Sequence, residues 1–172
     1  MPTPDPAASP AAPALGPRPF HALLGLQSGP VSEGMAEVVL PANPRLANSR
    51  GDVHGGAIAT LMDAALSAAV RSVLPKGTSC ATVTLNVTYL LPGRGRLAGE
   101  GRVLRAGRTL VNAEAYVTDA TGRLIAQAVG TFRAVRPRGS EQLLPQTAAD
   151  TPAPAVPEGH SPEGLAPGRE WP

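Results

Sequence analysis

Residues 48–70 run Asn48-Ser-Arg-Gly-Asp-Val-His-Gly-Gly-Ala-Ile-Ala-Thr-Leu-Met-Asp-Ala-Ala-Leu-Ser-Ala-Ala-Val70: a polar turn, a His-Gly-Gly step, then a long apolar stretch. Between Asp52 and Arg71 the single Asp, Glu, Lys or Arg is Asp63. From Ala57 to about Val73 the composition is Ala, Leu, Ile, Met and Val with Thr and Ser, stopped by Pro75-Lys-Gly77. That predicts a helix of about seventeen residues, ~25 Å long. A surface helix alternates charged and apolar faces; this one is apolar nearly all round and is expected to be buried.

Helical spacing puts Thr60, Asp63 and Ser67 on one stripe, opposite Ile58, Leu61, Met62, Ala65 and Ala69. An ordinary solvent face would also hold an acid. A solvent stripe of that length normally carries Lys or Glu as well, whereas this one is small-sided, as a face approached by a ligand or another chain would be. A carboxylate left dry and unpaired costs several kcal/mol, against a net stability of about 5–15 kcal/mol. Asp63 is therefore either wet or faces a polar cavity that requires it. At the front of the helix, Gly55 and Gly56 have no Cβ to shield their amides, and the first amides of a helix lack intrahelical partners. Such an arrangement can bind a developing oxyanion; a plain Gly-Gly loop is the simpler reading. His54 has no carboxylate or nucleophile at a useful spacing.

After the helix the period changes. Thr82-Val-Thr-Leu-Asn-Val-Thr-Tyr-Leu90 alternates polar and apolar residues, the mark of a half-buried strand. Strands are also predicted over 34–40, 97–104, 109–118 and 123–135, the later ones joined by short Gly-bearing turns at 92–95, 105–108 and 119–122. The expected architecture is α+β: an antiparallel meander of about five strands wrapped around one long central helix. That leaves one sheet face uncovered, which a second copy would close through a two-fold dimer.

Seven of the 20 prolines lie in residues 1–19 and eight in 137–172. Both ends read as disordered, Pro-rich tails, leaving a domain over 20–136. That domain carries twelve Lys and Arg against seven Asp and Glu. Arg94, Arg96, Arg102, Arg105 and Arg108 cluster, which suits a phosphorylated ligand or simply a solvated hairpin. Aromatic residues make up 3% of the chain, too few to stack bases, so no nucleic acid partner is expected. The lone Cys80 fits a reducing compartment and an inert thiol. With no CxxC and with His21, His54 and His160 far apart, no metal or other cofactor is expected. Without a signal peptide, and with an apolar stretch judged too short to span a bilayer, a cytoplasmic protein that makes no membrane contact is expected.

Asn48, His54-Gly55-Gly56 and Asp63 in an Ala/Leu-rich helix together resemble the PaaI-like branch of the hotdog-fold acyl-CoA thioesterases. The resemblance extends to Thr82-Val-Thr-Leu-Asn-Val-Thr-Tyr, Arg105-Ala-Gly-Arg-Thr-Leu and Thr121-Gly-Arg-Leu-Ile-Ala-Gln, about residues 20–135 in all. It implies hydrolysis of an acyl-CoA thioester, with aryl, phenylacetyl and medium-chain acyl groups all open. By the same resemblance Asp63 is the general base or nucleophile, and the Gly55 amide polarises the thioester carbonyl while Gly56 supports the turn. Asn48 helps hold the carbonyl or the water, and Thr82, where Ser is often found, helps position that water. His54 stands in the same motif. Arg105, Gly107 and Arg108 match a loop near the CoA nucleotide, with Arg94 and Arg96 weaker candidates. The resemblance also implies a dimer with shared active sites, paired into a dimer of dimers. Two rival readings remain: a hotdog dehydratase or hydratase with His54 as base, and a non-catalytic acyl-CoA-binding module that would not need Asp63.

Overall fold

The computed structural model describes residues 18–135. The expected tails lie outside that range, except that Pro19 is the first residue of a short helix, α1 (Pro19–Leu24). There follow β1 (Gln27–Ser32), β2 (Met35–Leu40), a 3-10 turn (Pro44–Leu46), α2 (Gly55–Val73), β3 (Ser79–Tyr89), β4 (Leu97–Ala106), β5 (Leu110–Asp119) and β6 (Leu124–Val135). The strands form one antiparallel sheet in the order β1-β2-β4-β5-β6-β3.

Two expectations need correcting. The sheet has six strands, not about five, because β1 hides behind Gly29 and Pro30 and a bulge between Ser28 and Val31. As an edge strand it tolerates a proline that no inner strand would. The other correction concerns connectivity. β3 does not pair with β4 in a meander; it pairs with β6 at the far edge (Thr82 opposite Phe132), and the segment after Tyr89 carries the chain back across to β4. The reason is occupancy: β2, made before the helix, already lies along β4 from Met35–Arg102 to Leu40–Leu97. Strand β3, emerging after the helix, takes the free edge beyond β6. The amides of Leu90 and Leu91 both reach the Ile125 carbonyl, fastening the crossing at 2.9 and 3.1 Å.

Helix α2 is 19 residues, ~28 Å, and begins two residues earlier than expected, so that Gly55 and Gly56 are its first turn. It ends where Leu74 turns extended before Pro75. The predicted apolar stripe is buried throughout: Ile58, Leu61, Met62 and Ala65 pack with Leu40, Leu97, Ile125 and Phe132, and Ala69 packs with Ala36 of β2. The helix comes so close to β4 that a Cβ on Gly101 would lie 2.5 Å from the Ala65 carbonyl oxygen. By length and composition α2 would also suffice to cross a bilayer, against expectation, but ten of its residues are buried within this fold.

Candidate active site

At the front of α2, His54 is the cap residue: its Nδ1 accepts the Gly56 N–H at 2.9 Å. Tyr89, at the end of β3, donates its hydroxyl to the Gly55 carbonyl at 2.9 Å. Among the described residues no acceptor takes the Gly55 N–H. Of the two amides expected to serve an oxyanion, Gly56's is therefore engaged by His54 and Gly55's is open. Asn48 sits beside them in an Asx turn, its Oδ1 accepting from the amides of Arg50 (2.8 Å) and Asp52 (3.2 Å). With the oxygen so occupied, the Asn48 side-chain NH2 is the group able to meet a ligand. Asn48, Gly55, Ile58, Tyr89 and Leu91 line one cleft of about 380 Å³. Asp52, buried behind them, takes the Arg94 Nε at 2.8 Å, with Arg50 at 3.7 Å. The Arg94 bond is the chief reason its carboxyl lies below the usual carboxylate range.

Further along α2, Thr82 donates to Asp63 Oδ1 at 2.7 Å, so the hydroxyl expected near the water is bonded to the carboxylate itself. Thr60, Asp63 and Ser67 are half-buried, midway between the core stripe and open solvent. Cys80 lies on the same side of β3, its thiol donating to the Ser67 carbonyl at 3.7 Å, and burial pushes its pKa up. An inert thiol is the outcome. The charge of Asp63 reaches Arg18, His21 and Arg71. Burial, then the neighbouring Arg18, holds His21 and Arg71 below their ordinary values.

These two groups do not meet within one chain. Eight residues separate Gly55 from Asp63, ~12 Å of helix, and the first-turn amides point away from the helix body. Each chain therefore carries two separate polar clusters, a donor half at Asn48 and Gly55 and an acid half at Asp63 and Thr82.

Arg105, Gly107 and Arg108 form the β4–β5 hairpin tip and are exposed. Only glycine fits at 107, since a Cβ would lie 2.8 Å from the Leu110 carbonyl oxygen. Among the described residues Arg105 and Arg108 make no ion pair, whereas Arg94, Arg96 and Arg102 face Asp52, Glu37 and Glu114. The register Val111–Phe132–Thr82 puts the hairpin at the acid half's end of the sheet. Also among the described residues, no cluster of three or more His, Cys, Asp or Glu is placed to hold a metal ion.

Sequence reasoning missed Tyr89, Asp52 and the Arg18–His21–Arg71 group. Tyr89 reads as the last residue of an alternating strand, and its partner is 34 positions away. The Asp52–Arg94 pair spans 42 positions. Neither leaves a local pattern.

The family model of the thioesterase superfamily matches residues 50–126. A Halobacterium salinarum protein, named as an esterase by inference, is 40% identical over 124 residues, 66% of this chain and 82% of that protein. Acyl-coenzyme A thioesterase 13 of Mus musculus is 34% identical over 46% of this chain and 59% of its own length. Among solved structures, a thioesterase family protein from Silicibacter pomeroyi superposes with a TM-score of 0.67 at 29% identity, over 70% of this chain and 91% of that one. A Bacillus halodurans protein solved with CoA gives 0.62 at 31% identity, over 67% and 75%. The chain belongs to the thioesterase superfamily. Its fold is that of the PaaI-like hotdog proteins: the Escherichia coli PaaI structure, at 20% identity, superposes with a TM-score of 0.63 over 67% of this chain and 83% of that one.

Proposed function

We propose that this protein hydrolyses the thioester of an acyl-CoA, small aryl or medium-chain, at a site made by two copies of the chain. The observation that carries the reading is the division into half-sites: a free Gly55 amide at one place and a hydroxyl-held Asp63 at another, too far apart in one protomer to serve one carbonyl. A two-fold partner laid along the exposed edge strand β3 brings the donor half of one copy to the acid half of the other. Val83 on that strand is 56% exposed, an apolar edge that a second chain would cover.

In this site the thioester oxygen accepts from Gly55 N–H, with the Asn48 NH2 beside it. Asp63 of the other copy, fixed by Thr82, takes a proton from water as the water oxygen bonds to the carbonyl carbon; alternatively it attacks that carbon itself, and once CoA has left, water hydrolyses the mixed anhydride to the free acid and the Asp63 carboxylate. The C–S bond then breaks and CoA leaves as thiolate, which needs no strong acid. Arg105 and Arg108 pair with the nucleotide phosphates. The CoA bound by the Bacillus halodurans relative supports this ligand class. The engagement of His54 Nδ1 in the helix cap weighs against a dehydratase with His54 as base.

The test is a panel of acyl-CoAs assayed by thiol release, with Asp63→Ala and Asp63→Asn alongside. Turnover should fall by roughly 10²-fold or more, ~2.7 kcal/mol of barrier, with binding little changed. Full turnover in Asp63→Ala would refute the assignment. Tight acyl-CoA binding without turnover in the wild type would favour a binding module.

A further inference from the structure

We propose that Tyr89 and His54 are positioning residues that grip the Gly55–Gly56 peptide from its two sides and so keep the Gly55 N–H aimed at the thioester oxygen. The inference rests on the reading of Gly55 as oxyanion donor given above. A trans peptide is a rigid plane with its carbonyl on one side and its N–H on the other. Here the carbonyl accepts from Tyr89 at 2.9 Å, and the N–H donates to His54 Nδ1 at 2.9 Å. The two side chains arrive from opposite directions in sequence, one from the loop before α2 and one from the end of β3.

Both bonds are exposed, so neither is forced by the cost of burying a polar group; water would satisfy these atoms equally well. In a helix the first carbonyl already accepts from the amide four residues on, which leaves the Tyr89 hydroxyl a second lone pair. What the pair of bonds adds is orientation. Two consecutive glycines allow the substrate close to the backbone but have the widest conformational freedom of any dipeptide. An oxyanion donor works only within a narrow distance range, and a displacement of about 1 Å can cost 10²-fold in rate. The His54 carbonyl, in the same peptide plane as the Gly55 N–H, accepts from the amides of Ala57 and Ile58 at 2.9 and 3.2 Å, so with the next plane gripped as well both torsions of Gly55 are held, and with them the direction of the one open amide. The Tyr89 ring lies against Gly55, so close that a Cβ there would touch it at 3.4 Å, and it lines the same cleft.

Three variants of the full chain test this. Tyr89→Phe keeps the ring and removes only the O–H. His54→Ala removes the cap acceptor, and His54→Asn supplies another. Tyr89→Phe should lower kcat ~10-fold with KM within about twofold, the equivalent of one hydrogen bond's orientation. His54→Ala should lose at least as much and His54→Asn should recover most of it, which a proton-transferring histidine would not permit. Amide hydrogen exchange by NMR gives a readout independent of turnover: the Gly56 amide should exchange more slowly than that of Gly55, and both Tyr89→Phe and His54→Ala should speed it. Unchanged kcat in Tyr89→Phe, or a Gly56 amide indifferent to both variants, overturns the proposal. If Asp63→Asn abolishes turnover while Tyr89→Phe leaves it intact, the grip is wrong and the hydrolase reading stands. If no acyl-CoA is hydrolysed, that reading falls and the exchange measurement alone decides the grip.

Discussion

The front of α2 and its middle carry the two halves of the proposed site, and they are built in opposite ways. At the front, the polar groups are committed within the chain. His54 caps Gly56, Tyr89 holds Gly55, Asn48 folds over its own loop, and Asp52 anchors Arg94. In the middle, Asp63 has, among the described residues, a single hydrogen bond, from an exposed residue on an edge strand. On the proposed function, the difference follows from what each half would have to do. A donor must be fixed in direction before the substrate arrives, whereas an acid that meets a carbonyl held by another copy must stay accessible from outside.

The sharpest way to break this comparison is to separate the halves genetically. Asp63→Asn and Gly55→Val proteins should each be inactive, yet mixing them after unfolding and refolding should restore about a quarter of wild-type activity, because half the random dimers then contain one intact composite site. No recovery on mixing would place both halves in one chain. The next largest effect concerns the platform beneath them. Gly101→Ala would press its Cβ onto the Ala65 carbonyl and lever the acid half away from β4. A loss of ~1–3 kcal/mol is expected in urea denaturation.

The two glycines sharpen the contrast within the donor half. A Cβ at 56 would lie 3.1 Å from His54 Nδ1, so Gly56→Ala should push the exposed imidazole aside and weaken the cap, offsetting the ~1 kcal/mol that alanine otherwise gains over glycine in a helix and leaving the thermal midpoint little changed. At 55 a Cβ meets only the Tyr89 ring at ordinary contact distance, so Gly55→Ala should keep its thermal midpoint while losing turnover. Smallest is the acid response. The Asp52 carboxyl is held below its ordinary value of 3.8, chiefly by the Arg94 bond. A depressed carboxylate stabilises the fold above the unfolded value and loses that contribution as pH falls below it. Stability should thus decline from about pH 4 downward, with a shallower slope in Asp52→Asn, measured by denaturant midpoint against pH. Asp119, held well below the usual range first by the Thr121 hydroxyl and then by Arg123, should behave alike at the β5–β6 turn.

Much of the fold was legible because its signals are local. Helix α2 declared itself by composition, and its faces fell where 3.6-residue spacing put them, from Ile58 to Ala69. The alternation in 82–90 marked β3, and the turn at 119–122 marked a hairpin. β1 was illegible because Gly29 and Pro30 break any period. The site divides in the same manner. Asp63, Gly55 and Asn48 lie within sixteen residues and form a readable motif, while Tyr89 and Asp52 act through partners 34 and 42 positions distant.

By itself, the sequence determined that one apolar helix with a lone acid would lie against an antiparallel sheet, since burial and periodicity are properties of neighbouring residues. Only the tertiary structure decided that β3 goes to the far edge, that the Gly56 amide belongs to His54, and that the Gly55 carbonyl belongs to Tyr89. Those outcomes depend on which edge and which lone pair are still free once the other elements are in place, and no local pattern records that.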